Sequence, residues 1–185
     1  MTRLQRQFDG HAKGFTLLEL LIYIAVISVI LVAATSFAFQ FLATRAKASA
    51  YQEVERNAQF ALARIAAEVR QADGYNAQGA GSNFGANPST LSLVLSDGTK
   101  SPTVFSVTGG TLNVKQGAGA TLPLTSSKVT VSEFIVDDLS TANGKSKLFR
   151  IHLKVTFNSD SLSLYAADTT VETTAQIKKA DGFAN

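Results

Sequence analysis

Glu19 is the residue whose setting most demands a chemical explanation. It stands among Phe15, Leu17, Leu18, Leu20 and Leu21, and no charge follows it until Arg45. A carboxylate at mid-membrane costs ~2.5–3.5 kcal/mol, and less near an end. An acid placed there is by default a functional group that needs a positive partner. The bland alternative is a carboxylate that snorkels to the interface. Other chemistry-bearing residues are sparse. The chain has no cysteine, which excludes disulfides, thiolate metal sites and a cysteine nucleophile. Its two histidines, His11 and His152, cannot build a multi-histidine centre. His152 lies between Arg150 and Lys154 on a polar strand face, with no acid next to it, and reads as a surface residue. No G-x-S-x-G elbow occurs. Gly79, Gly81 and Gly85 fall in a loop without a preceding strand or a Lys-Ser/Thr pair, so they are not a phosphate cradle. Asp137, Asp138 and Asn143 offer oxygens to calcium, but at a spacing that matches no standard loop, and they read as a solvated turn. Neither a catalytic residue nor a cofactor is expected. An anchored enzyme would need a cleft of converging polar groups that the sequence does not reveal.

The element that carries Glu19 is a helix. From Leu20 to Thr44 run 25 uncharged residues, more than the ~20 that cross a bilayer. Fourteen of them are Leu, Ile, Val or Phe, each contributing ~−0.3 to −0.6 kcal/mol to insertion, so the segment inserts despite its acid. Arg3, Arg6 and Lys13 precede the span, and the positive-inside rule puts the N-terminus in the cytoplasm. Neither glycine nor proline interrupts residues 15–73, which predicts one continuous helix stopped at Gly74. Its outer half changes pattern. Val54, Ala58, Ala61, Leu62, Ile65, Val69 and Ala72 recur at three- and four-residue spacing, a stripe that must be buried. Glu53, Arg56, Arg64, Glu68 and Gln71 lie mostly off it, as a solvated face with weak pairs such as Arg64–Glu68.

After Gly74 the composition shifts to a Gly/Asn/Ala loop and then to Thr-, Ser- and Val-rich segments that read as strands: 90–95, 103–107, 111–115, 128–136, 147–157, 161–165 and 169–177. Phe149, Ile151, Leu153, Val155 and Phe157 alternate with Arg150, His152, Lys154 and Thr156, the pattern of a half-buried strand. Gly109-Gly110 marks a tight hairpin and Asn158-Ser159-Asp160 a turn. A change of parity near Ser132 predicts a bulge. The fold class is therefore α+β, with an antiparallel sheet wrapped on the helix stripe. The net charge of +3 and pI near 9.2 do not indicate nucleic acid. Residues 1–14 carry a net +2, the remainder is nearly neutral, and phosphate binding needs clustered cations.

The run Lys13-Gly14-Phe15-Thr16-Leu17-Leu18-Glu19-Leu20 resembles the processing site of type IV prepilins and type II secretion pseudopilins. The resemblance implies cleavage after Gly14 by a prepilin peptidase, N-methylation of Phe15, and a filament-assembly role for Glu19. It implies residues 1–14 as the leader and 15–73 as the helix, with about 15–44 transmembrane and 45–73 packed on a globular domain of residues 74–185. Arg56 to Arg70, the strands after it and the long final hairpin are similar to J-type minor pseudopilins and W-type minor pilins. Ser36 stands where many major pilins have proline, which disfavours a major subunit. The expected role is a minor, non-enzymatic subunit of a type II secretion pseudopilus or type IV pilus. Its expected partners are sister subunits, prepilin peptidase, an inner-membrane assembly platform and lipid. The expected location is the inner membrane, with an extracytoplasmic C-terminal domain. The alternative is a tip binding subunit, an adhesin or DNA-uptake pilin. A secretory signal peptide cut after Ala38, which would leave Glu19 unexplained, and a plain signal anchor are the other readings of the N-terminus.

Overall fold

Helix α1 runs from Leu17 to Gln71 in a computed structural model that describes residues 15–141, 146–159 and 166–178. The chain divides into two units, Met1–Ala43 and Thr44–Asn185. In the first, Thr16 sits just before the helix and its Oγ1 accepts the Glu19 N–H at 3.3 Å, an N-cap. Leu20 N–H donates to Thr16 O at 3.2 Å and opens the helical ladder. The apolar side chains of this unit are exposed, among them Leu17 at 84% and Phe37 at 71%, and the segment is long and apolar enough to cross a membrane. Three of its hydroxyls are satisfied inside the helix, which suits a bilayer. Ser28, Thr35 and Ser36 donate to the carbonyls of Ile24, Leu31 and Val32, four residues back, at 2.7, 2.7 and 2.9 Å.

In the second unit the helix buries one side. Ala50, Val54, Ala58, Ala61, Leu62, Ile65, Ala66 and Val69 are all buried, followed by Ala72 beyond the helix end. The alanines matter because a small side chain lets a sheet approach the helix closely. Against this stripe packs a core that includes Leu91, Leu93, Phe105, Leu112, Phe134, Phe149, Ile151 and Leu153.

The strands are β1 Gly74–Tyr75, β2 Thr90–Val94, β3 Thr103–Thr108, β4 Thr111–Gln116, β5 Thr121–Pro123, β6 Val129–Asp138, β7 Leu148–Phe157 and β8 Asp168–Gln176. All pairings are antiparallel. The single sheet expected from the sequence is corrected to two: β1-β2-β3-β4-β5, and β6-β7-β8. The break has a physical cause in the β5–β6 connection. Leu124 N–H donates to Leu112 O at 2.8 Å, and buried Thr125 Oγ1 accepts the Leu112 N–H at 3.1 Å. These bonds fold the connection back on β4, so β6 starts a new sheet.

Helix α1 ends at Gln71, two residues before the expected Asp73, and Gly74 is not a helix cap. Asp73 N–H donates to Val94 O at 2.9 Å, and Gly74 then pairs with Val94 as the start of β1. Strands β1 and β5, of two and three residues, were too short to carry a pattern. The expected strand at 161–165 lies outside the described residues. Gly109 and Gly110 have φ of 58° and 74°, as a tight β3–β4 hairpin turn requires. A Cβ on Gly110 would meet Thr130 Cγ2 at 2.8 Å. The β6–β7 register shifts between Val131 and Glu133, which places the bulge at Ser132.

Candidate functional site

The N-terminal end of α1 presents an aromatic ring, a capping hydroxyl and a carboxylate within five residues. Phe15 is 71% exposed, and its ring lies 5.8 Å from that of Tyr23. Thr16-Leu17-Leu18-Glu19 has the spacing of a capping box, with Thr at the cap and Glu three residues on. The cap explains why the helix starts here. It does not use the Glu19 carboxylate, which is exposed and meets no polar partner among the described residues. In a bilayer an acid so placed needs a positive partner. Gly14, Arg3, Arg6 and Lys13 lie outside the described residues.

The remaining polar residues form structural pairs. The structure corrects the setting of His152. Its Nε2 lies 3.3 Å from Glu133 Oε2 and its Nδ1 3.8 Å from Glu172 Oε2, because register brings acids from β6 and β8 to the same face. Arg150 donates to Asp137 Oδ2 from Nε at 3.1 Å and from Nη2 at 2.9 Å. Asp138 accepts the Tyr75 hydroxyl at 2.7 Å and the Ser140 N–H at 2.9 Å. Burial pushes the Asp138 carboxyl up, but the bonds from Ser140 and Tyr75 outweigh it and hold the group below the usual carboxylate range. The same contact with Asp138, then burial, pushes the Tyr75 phenol up. Both aspartates of the considered calcium turn are thus engaged with protein groups, and Asn143 lies outside the described residues. Two of the three loop glycines also spend their amides on the fold: Gly79 N–H donates to Ser82 O and Gly85 N–H to Val136 O, each at 2.9 Å.

Two buried polar residues of α1 escaped the sequence reading. Asn57 donates from Nδ2 to Glu53 O at 2.8 Å and to Glu53 Oε1 at 3.0 Å. Its Oδ1 accepts the Ser126 N–H at 2.8 Å, and Ser126 Oγ donates to Glu53 Oε1 at 3.1 Å. This ties the helix to the β5–β6 connection. The Asn57 and Ser126 bonds hold the Glu53 carboxyl below its ordinary value. Glu68, expected on the wet face, is buried; it accepts Arg64 Nη2 at 2.6 Å and Gln116 Nε2 at 3.3 Å. Helical spacing was the available signal. Asn57 follows Val54 by three residues and Glu68 follows Ile65 by three, so both fall on the stripe. A cleft of about 280 Å³ beside Glu68 is lined by Arg64, Ser96, Asp97 and Lys100. Its charges pair with one another, Arg64 with Glu68 and Lys100 with Asp97 at 3.6 Å.

Residues 10–35 match the family model of the prokaryotic N-terminal methylation motif. No curated protein and no solved structure matches the chain. The motif, which spans Gly14, Phe15 and Glu19, supports a type IV prepilin-like or pseudopilin family. With it go prepilin peptidase processing and a single-pass membrane helix. The long apolar helix and the antiparallel sheets form the α+β, pilin-like architecture expected of such a chain.

Proposed function

We propose that this prepilin-like chain is a minor structural subunit that co-assembles into, or primes, a type II secretion pseudopilus or type IV pilus. Prepilin peptidase cuts after Gly14 on the cytoplasmic side and methylates the new amine of Phe15. That amine, with a pKa of ~7.7–8.0, is cationic at neutral pH, and methylation keeps the charge. Glu19 then pairs with the amine of a neighbouring subunit. In a medium of low dielectric, leaving either charge alone is costly, so the pair selects correctly registered subunits. Sister subunits, the assembly platform and the lipid around the span are the partners, and the C-terminal domain lies on the extracytoplasmic side. The single observation that carries this reading is Glu19: an exposed carboxylate in the first turn of an uncovered apolar helix, inside the methylation motif.

The minor-subunit reading rests on the similarity of residues 56–70 and the strands after them to J-type and W-type subunits, and on Ser36 in place of proline. The binding-subunit alternative gains no support from the outer face of β6–β8. There Arg150 and His152 are matched by Asp137, Glu133 and Glu172.

The test has two parts. Mass spectrometry of the natural protein yields an N-terminal N-methylphenylalanine at position 15; a chain beginning at Met1 or Phe39 overturns the processing. Glu19→Ala inserts in the membrane at the wild-type level but is lost from complexes with sister subunits. Normal incorporation of that variant overturns the role of Glu19.

A further inference from the structure

The helix carries a second charged feature where the uncharged run ends, and the assembly role does not use it. Arg45 and Lys47 stand one and three residues past Thr44, and both are exposed. Lys47 Nζ stands 5.9 Å from the centroid of the Tyr51 ring one turn on, a cation–π contact that aims the two side chains together. Tyr51 is itself 44% exposed. The next acids along the helix are engaged elsewhere: Glu53 with Asn57 and Ser126, Glu55 with Gln59 and Thr169. Lys47 makes no ion pair among the described residues, and its partner is the Tyr51 ring.

Connectivity fixes what it faces instead. Twenty-five residues of α-helix rise about 37 Å, roughly 7 Å more than a hydrocarbon core, so the run ends at or just beyond the boundary. Along the helix Lys47 lies about 4.5 Å and Tyr51 about 10.5 Å past Thr44, and both side chains lean back toward the helix N-terminus, the side of the uncharged run. The headgroup layer is roughly 5–7 Å deep. Two cations and a phenol at that level match a layer of phosphate anions in charge and in amphipathic character.

We infer that Arg45, Lys47 and Tyr51 form a clamp for phospholipid headgroups at the point where the helix leaves the bilayer. The clamp holds the chain at a fixed depth in the bilayer. Headgroups line both surfaces, so the inference rests on the membrane span alone and not on topology or on the filament reading.

The test uses the full-length chain in vesicles of phosphatidylcholine, with and without phosphatidylglycerol. Solid-state carbon–phosphorus dephasing at Lys47 Cε should report lipid phosphorus within bonding range, while exposed Lys115 on β4 shows none. The double variant R45Q/K47Q should lose its preference for phosphatidylglycerol by roughly fivefold per cation removed. Absence of phosphorus contact at Lys47 in both vesicles overturns the clamp. So does a Lys47 contact to protein carboxylate carbons in its place. Glu19→Ala leaves the dephasing unchanged, so failure of assembly and failure of the clamp are read separately.

Discussion

Residues 17–43 and 44–71 belong to the same helix, yet they meet their surroundings in opposite ways. The first stretch is apolar on every side and exposes nearly all of it. The second has fewer apolar residues and buries them along one stripe. A helix that is greasy all round has no face to choose and takes lipid or sister helices as its solvent. A striped helix has chosen a sheet. Helix propensity says little about this difference; the angular distribution of apolar residues carries it. An acid can therefore stand in the first stretch with no side-chain partner among the described residues, whereas Glu68 in the second is fully partnered within the domain.

The sharpest test of this contrast is paired truncation. Phe134 is fully buried between the sheet and the helix stripe, so Phe134→Ala should cost about 3–5 kcal/mol in urea unfolding of the detergent-solubilised chain. Ile24, exposed in the first stretch, should leave the same transition within ~0.5 kcal/mol when changed to Ala. A large effect of Ile24→Ala would mean that the two stretches do not differ as described.

Next in size is the buried amide. Asn57→Ala removes the acceptor for the Ser126 N–H and the donor to Glu53. A buried donor left without a partner costs about 1–3 kcal/mol. Ser126→Ala keeps its own N–H and should cost less, since only the hydroxyl bond to Glu53 is lost. Equal costs for the two would show that the hydroxyl, and not the backbone tether, holds the connection.

How far the sequence alone reaches follows the same divide. The uncharged run and the stripe were legible because each is a periodic or compositional signal over many residues. The long strands β6 and β7, the Gly109-Gly110 turn and the bulge at Ser132 were legible for the same reason. What escaped was set by tertiary pairing. The short strands β1 and β5 exist only because β2 and β4 offer free edges. The acids beside His152 come from two other strands, through register that no local pattern states. Glu68 and Asn57 sat on the stripe by spacing, but a polar residue is assigned to solvent until its partners are known.

The third prediction concerns pH. Hydrogen bonds from Asn57 and Ser126 hold Glu53 below its ordinary value, so its folded pKa is depressed. Stability from this group is fully present above the unfolded carboxylate pKa of ~4.3 and is lost as pH falls through the folded value. The urea midpoint should therefore drop below about pH 4.3, with Asp138 adding a contribution of the same sign. Glu53→Gln should flatten part of that drop while leaving the midpoint at neutral pH lower than wild type. An unchanged acid limb in Glu53→Gln would remove Glu53 from the account.

The smallest expected effect returns to the membrane stretch. Ser36 Oγ donates to Val32 O at 2.9 Å, so its hydroxyl is already satisfied inside the helix. Ser36→Ala removes one donor and leaves a carbonyl that keeps its helical hydrogen bond, and membrane insertion should change by no more than a few tenths of a kcal/mol. Ser36→Pro also removes a backbone N–H and sets a ring against the carbonyl of Val32, at a cost of about 3 kcal/mol in a helix interior. That cost falls in the first stretch, where no packed core depends on the helix. The urea transition of the domain should thus be untouched while helix content in detergent falls. A domain destabilised by Ser36→Pro would show that its fold leans on the apolar stretch, and the contrast between the two halves of α1 would then be one of solvent only.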